Sequence, residues 1–275
     1  MTTVLPIATR LALRAALLAL PLCAAAQGGP LDPEQRTWLQ FNVTNASFAS
    51  STGSVDNFGG GTATRIDQER DLGLEDRKAM PGLLIGRRIG ERFRIEGELV
   101  RSRRTGSTVL AADTTVDGTT WAGGTPLRTE FALRTTRISG GYSAVLTPEV
   151  EFGVSFGGQI LSVRRALEGT HSGGFAYAFD DSDSTAHPLL GLYGGVKLGP
   201  MFRLSGRVES GVGDDDYVKL DLSATFRPLP HVGIGVGWRY VDARFANETF
   251  FFGYDNFGQL RFRARGPMLL LEVGF

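Results

Sequence analysis

Glu149-Val-Glu-Phe-Gly-Val-Ser-Phe-Gly-Gly-Gln-Ile-Leu161 alternates without a break. Val150, Phe152, Val154, Phe156, Gly158 and Ile160 fall on one face of an extended chain, and Glu151, Gly153, Ser155, Gly157 and Gln159 on the other. Successive strand side chains point to opposite sides, so period two predicts a β-strand with one apolar and one polar face. Its length matches the roughly 9–11 residues a tilted strand needs to cross a bilayer.

The same alternation recurs along the chain. Tyr217 to Pro228 sets Val218, Leu220, Leu222, Ala224 and Phe226 against Lys219, Asp221, Ser223, Thr225 and Arg227. Val232, Ile234, Val236, Trp238 and Tyr240 oppose glycines and Arg239; Phe202, Leu204, Gly206 and Val208 oppose Arg203, Ser205, Arg207 and Glu209. Phe93, Ile95, Gly97 and Leu99 oppose Arg94, Glu96 and Glu98, and Leu269, Leu271, Val273 and Phe275 oppose Glu272. A soluble sandwich alternates too, with its apolar faces inward. The connections separate the two cases, because they switch between very short and long. Gly90-Glu91, Thr147-Pro148, Gly199-Pro200 and Leu229-Pro230 are tight, whereas 51–79, 105–126, 166–186 and 246–258 are long. Short turns on one side of a membrane and long loops on the other are the expected asymmetry of a transmembrane barrel.

The chain ends point the same way. Residues 1–26 read as a secretory signal: Arg10 and Arg14 precede or enter an apolar run, Leu11–Leu22, too short to span a bilayer as a helix, and Ala24-Ala25-Ala26 offers a cleavage site. At the other end Gly266-Pro-Met-Leu-Leu-Leu-Glu-Val-Gly-Phe275 closes an apolar strand on an aromatic residue. With an export signal ahead of it, such a terminus resembles the Gram-negative outer-membrane β-barrel proteins as a class, over all of residues 27–275. That resemblance implies that Phe275 is the signal read by the outer-membrane assembly machinery.

The expected fold is therefore all-β, a single antiparallel up-and-down transmembrane barrel of ten strands, at approximately 36–50, 79–90, 92–105, 127–146, 149–165, 186–198, 201–211, 216–228, 231–246 and 258–275. Eight and twelve are the alternative counts, because the first two strands alternate less cleanly. Arg87 and Arg88 disturb the second, where an arginine can snorkel to the interface, and residues 62–69 are read as a possible extension of the first hairpin. An even count puts both ends on the periplasmic side. Cys23, the only cysteine, lies in the signal, so the mature chain has no disulfide or thiolate chemistry. Removing Arg10 and Arg14 leaves 27 Lys+Arg against 29 Asp+Glu, a net charge of −2 that gives no sign of nucleic-acid binding.

The polar faces define an interior: Arg94, Glu96, Glu98, Arg137, Glu151, Gln159, Arg203, Arg207, Glu209, Lys219, Asp221, Arg227, Arg239 and Glu272. Seven bases meet six acids, and a barrel of about eight strands is only wide enough for its side chains to fill. The expectation is a lumen plugged by ion pairs, in a structural or interaction barrel that displays loops. A narrow pore or transporter for small solutes is the alternative.

A rim-located hydrolase is a third reading. The outer-membrane proteases also have ten strands and work with paired acids and an Asp/His couple at the rim. Here Asp180, Asp181, Asp183 and His187 occur in the third long loop and Asp214, Asp215 and Asp216 in the fourth. The fourth has no histidine, so that family's pairing is not reproduced. Lipid A deacylases use a His/Ser pair, but the adjacent His171 and Ser172 would point to opposite faces of a strand. No catalytic residue, cofactor or metal is assigned.

Two surface features remain. Phe175, Tyr177 and Phe179, with Phe245, Phe250, Phe251, Phe252, Tyr254 and Phe257, crowd two long loops, and one ring of 250–252 is expected to cross the barrel mouth toward the first three. Arg261, Arg263 and Arg265 share the lipid-side face of the last strand just above the span, where they could contact lipopolysaccharide phosphates. A bulge at Gly266-Pro267 would turn them inward instead. Outer-membrane lipids, lipopolysaccharide and the assembly machinery are the expected partners.

Overall fold

The computed structural model describes residues 36–54, 64–116, 119–212, 216–245 and 260–275. The expected signal segment, Asp214, Asp215, Phe250–Phe252, Tyr254 and Phe257 lie outside them. Thirteen strands are described: β1 (Thr37–Ser54), β2 (Thr64–Asp67), β3 (Arg77–Ile89), β4 (Phe93–Val109), β5 (Thr114–Val116), β6 (Thr119–Trp121), β7 (Pro126–Leu146), β8 (Val150–Thr170), β9 (Ala176–Leu198), β10 (Phe202–Gly211), β11 (Asp216–Leu229), β12 (Val232–Phe245) and β13 (Leu260–Gly274).

Ten of them form the barrel, each antiparallel to its neighbours in the order β1-β3-β4-β7-β8-β9-β10-β11-β12-β13. The wall closes where β1 pairs with β13, from Trp38 opposite Gly274 to Thr52 opposite Leu260. Closure removes the exposed strand edges. Phe275 joins the seam, its N–H donating to the Thr37 carbonyl at 2.8 Å. The four tight connections lie at this end. Gly90 and Gly199 take φ of 64° and 80° there, a left-handed conformation that glycine adopts without a Cβ clash. In the second turn Thr147 Oγ1 accepts from the Val150 N–H at 2.8 Å.

At the opposite end β2 pairs with Ser51–Ser54 of β1, so Thr64–Asp67, within the expected 62–69 stretch, extend the first hairpin. The segment between β2 and β3 leans on β4 through a bridge of Leu74 to Gly106. Approach is close: a Cβ on Gly106 would lie 2.1 Å from the Gly73 carbonyl oxygen. The alternation over 173–179 predicts an extracellular extension of the wall within the expected long loop 166–186, and the extension proves longer than that, leaving little of the loop. β8 and β9 run on as a hairpin, paired from Val150↔Val196 to Thr170↔Ala176, and only residues 171–175 connect them.

That extension carries an inversion of facing chemistry. On β8, Val154, Phe156 and Ile160 point outward and are 47%, 65% and 51% exposed, while Glu151, Ser155 and Gln159 are buried inside. Beyond Leu161 the parity holds but the residues exchange character: Leu161, Val163 and Leu167 are buried inside, and Ser162, Arg164 and Glu168 face out. β4 switches at Val100 and β7 at Leu133 in the same sense; on β13 the outward face alone changes, from Leu269 to Arg265, because Met268 and Leu270 are already buried inside. The physical cause is a change of solvent. Where lipid bathes the wall, apolar side chains face out; where water does, they are driven in. The outward apolar positions of β8 span Val150 to Ile160, about 25 Å along the membrane normal at the usual rise and tilt.

Candidate functional site

The lumen is the most chemically elaborated part of the molecule, and it is layered. In the membrane-spanning layer all thirteen expected charged residues enter ion pairs. Glu98 on β4 is one centre: it takes hydrogen bonds from Arg137 Nε at 3.0 Å, from Arg239 Nη2 at 2.9 Å and from Lys219 Nζ. Glu96, two residues along the same face, meets Arg207, Arg94 at 3.6 Å and Arg137 at 3.7 Å. Arg137 also reaches Glu209 at 2.7 Å. Asp221 holds Arg239 in a bidentate grip at 2.7 and 2.9 Å and lies 3.2 Å from Lys219. Toward the tight turns Glu272 pairs with Arg227 and, at 3.5 Å, with Arg203. Glu151 accepts from the Ser143 hydroxyl at 2.5 Å and from Arg88 at 2.8 Å.

Arg88 corrects an expectation. It does not snorkel to the interface; it faces inward, buried against Glu151, while its neighbour Arg87 faces out. Arg94 lies over the Tyr193 ring, 3.1 Å from its centroid. A cavity of about 90 Å³ remains on the turn side of the network, bordered by Trp38, Arg94, Glu151, Arg203 and Glu272, with room for a few water molecules.

Above the charges lies an apolar layer that the sequence reading did not foresee. Phe48, Met80, Val100, Phe131, Leu133, Leu161, Val163, Leu260 and Phe262 fill the interior from six strands, and Leu74 enters from the β2–β3 segment. Phe131 and Phe262 stack with centroids 6.4 Å apart, and Phe48 packs on Phe262 at 5.7 Å. Arg104, fully buried, pins the segment above. It bonds Glu69 at 2.5 Å and the Ser50 hydroxyl at 2.9 Å, with its guanidinium 4.4 Å from the Phe48 centroid. Ile66, Leu72, Leu110, Val116, Trp121, Leu127 and Leu167 form a second apolar cluster at the top, partly under the β5–β6 hairpin. A sequence signal for these layers exists: Leu161, Val163 and Leu167 continue the inward face of Glu151 and Gln159.

The residues considered for catalysis are dispersed. Asp180 forms a bidentate pair with Arg164 on the outer wall, at 2.9 and 2.5 Å, and this contact holds its carboxyl below the ordinary value. Asp181 and Asp183 accept from the N–H of Ser182 and Ser184. His171 Nδ1 accepts from the Gly173 N–H at 2.9 Å, and its ring stacks on Phe175 at 4.7 Å. His187 is buried inside, opposite Gln159. Among the described residues no group of three or more His, Cys, Asp and Glu could hold a metal. The loop rings cover one another: Tyr177 meets Trp121 at 5.7 Å and Phe175 edge-on at 6.5 Å, while Phe179 packs on the top cluster. Phe175 and Tyr177 sit exposed at the hairpin tip, and Trp121 is buried in the cluster beside them.

Arg261, Arg263 and Arg265 face outward, as expected. The register of β13 stays in step with β1 and β12 through Gly266-Pro267, so no bulge turns them in. Asp242 on β12 binds Arg263 at 2.7 Å and lies 3.5 Å from Arg261.

No family model matches the sequence, and no curated protein matches it. The fold matches the outer membrane protease OmpT from Escherichia coli with a TM-score of 0.59 at 12% identity, over 90% of this chain and 98% of that one. The translocator domain of autotransporter NalP from Neisseria meningitidis aligns with a TM-score of 0.46 at 12% identity, over 98% of this chain and 96% of that one. At 12% identity the likeness to the protease concerns the fold alone. The closed ten-strand wall, the outward apolar band and the charged interior define a transmembrane β-barrel of the Gram-negative outer-membrane class.

Proposed function

We propose that this protein is a closed interaction barrel, exported by cleavage of residues 1–26, whose work is done by its outer wall and extracellular loops rather than by transport through its lumen. The observation that carries this reading is the stacking of two unlike seals: a charge layer knitted across the lumen and an apolar layer above it. An ion meeting the first finds its counter-charges engaged, and the second offers it no ligand in exchange for hydration. On the outside, Arg261, Arg263 and Arg265 are suited to phosphate groups of lipopolysaccharide. Phe275, in the closing seam, is suited to recognition by the assembly machinery.

Conductance of purified protein in planar bilayers tests the reading. The expected result is no steady current; a large, stable unitary conductance would promote the pore for small solutes instead.

A further inference from the structure

Arg101 on β4 and Arg134 on β7 stand directly opposite each other, both outward and exposed. Directly opposed like charges destabilise a strand pair. The next row adds Arg103 and Arg164, but these already have acids: Arg103 binds Glu130 at 2.7 Å and Arg164 binds Asp180. Arg101 and Arg134 have no ion-pair partner among the described residues. Beside them Ser162 on β8 lies opposite Arg134 and takes a hydrogen bond from Ser184 at 2.8 Å.

The height of this pair is informative. Arg101 follows Leu99 on the outward face, and Arg134 is two positions beyond Thr136, so both sit immediately above the apolar band. That is the level of the outer-leaflet headgroups. Opposed Cβ atoms on neighbouring strands lie about 5 Å apart, close enough for two guanidinium groups to share one phosphate.

We propose that Arg101 and Arg134 clamp a phosphate of lipopolysaccharide, the phosphorylated glycolipid of the outer leaflet, with the Ser162 hydroxyl alongside. The site is distinct from Arg261, Arg263 and Arg265, from which β3 and β1 separate it, and it differs in chemistry: there Asp242 already neutralises part of the charge. It rests on the wall being embedded in that leaflet, but not on the state of the lumen.

The test is lipid binding by the refolded barrel in detergent, using bisphosphorylated lipid A, the same lipid after enzymatic removal of its phosphates, and inorganic phosphate. Arg101→Gln with Arg134→Gln should weaken the bisphosphorylated lipid about tenfold or more, leave the dephosphorylated lipid unchanged, and preserve the folded gel mobility. Ser162→Glu, which removes neither arginine but sets an acid beside Arg134, should weaken it in the same direction. Inorganic phosphate at millimolar concentration should not compete. Unchanged affinity in both variants, equal loss for both lipids, or displacement by inorganic phosphate would each overturn the proposal. Loss of binding in Arg261→Gln with Arg263→Gln, or a bilayer current, reports on the reading of the preceding section and leaves this one standing.

Discussion

Glu98 and Lys219 touch across the full width of the barrel. Their strands, β4 and β11, are five apart in a ring of ten, which places them at opposite ends of a diameter. Arg239 and Arg137 reach the same carboxylate from either side. One buried acid thus ties three other strands together, and nothing wide can pass without breaking it.

Glu98→Ala should accordingly be among the most destabilising single changes. It leaves three buried cations short of a partner, at a cost of about 3–5 kcal/mol. Urea unfolding of the barrel in lipid vesicles, followed by the difference in gel mobility between unheated and boiled samples, would register the loss. A change within error would mean the network is redundant at its centre.

The inversion of facing gives a sharper test than position alone. Val154→Arg and Leu222→Arg put a charge on the lipid side and should cost about 2–4 kcal/mol. Ser162→Arg, on the same face of β8 but above the apolar band, should cost no more than about 1 kcal/mol, the repulsion from Arg134 opposite it included. Val163→Arg, one residue further and turned into the apolar layer, should cost on the order of 4 kcal/mol. Equal folding yields for Val154→Arg and Ser162→Arg would refute the boundary.

The upper segment depends on Arg104. Arg104→Met removes the cation that holds Glu69 and Ser50, and Gly106→Ala forces a Cβ into the Gly73 backbone. Either change should speed cleavage after Arg70 by trypsin on whole cells, while the barrel keeps its folded mobility. Resistance in both variants would mean that other contacts hold the segment.

Truncating the apolar layer separates the two seals. Phe131→Ala with Phe262→Ala opens the upper lumen and should cost about 3–5 kcal/mol for each ring, yet bilayer recordings should still find no current, because the charge layer is intact. A current in this variant would assign the seal to the rings alone.

The membrane-spanning wall was legible in the sequence because lipid imposes one rule, apolar outward, on every strand. The ten strand positions and the inward charges follow from it. β8 and β9 read short, ending at 165 and starting at 186, for the same reason: beyond Leu161 the rule reverses, and a criterion seeking outward apolar residues finds Glu168 and Asp180, with only the alternation over 173–179 left to mark the extension. Arg88 gives no clear signal because its neighbour Arg87, exposed on the other face, hides the parity. Which acid meets which base had no signal at all, since Glu98 and Lys219 are 121 residues apart.

The apolar layer does not need the membrane. Phe48, Phe131 and Phe262 exclude water by packing on one another, above the band that lipid must cover. Moving the barrel from a bilayer to a detergent micelle changes what surrounds the charged layer and leaves this core as it was. Exposing it raises the heat capacity of the unfolded chain, so its contribution weakens on cooling. The extracellular end is in this sense a small water-soluble protein grown onto a membrane one.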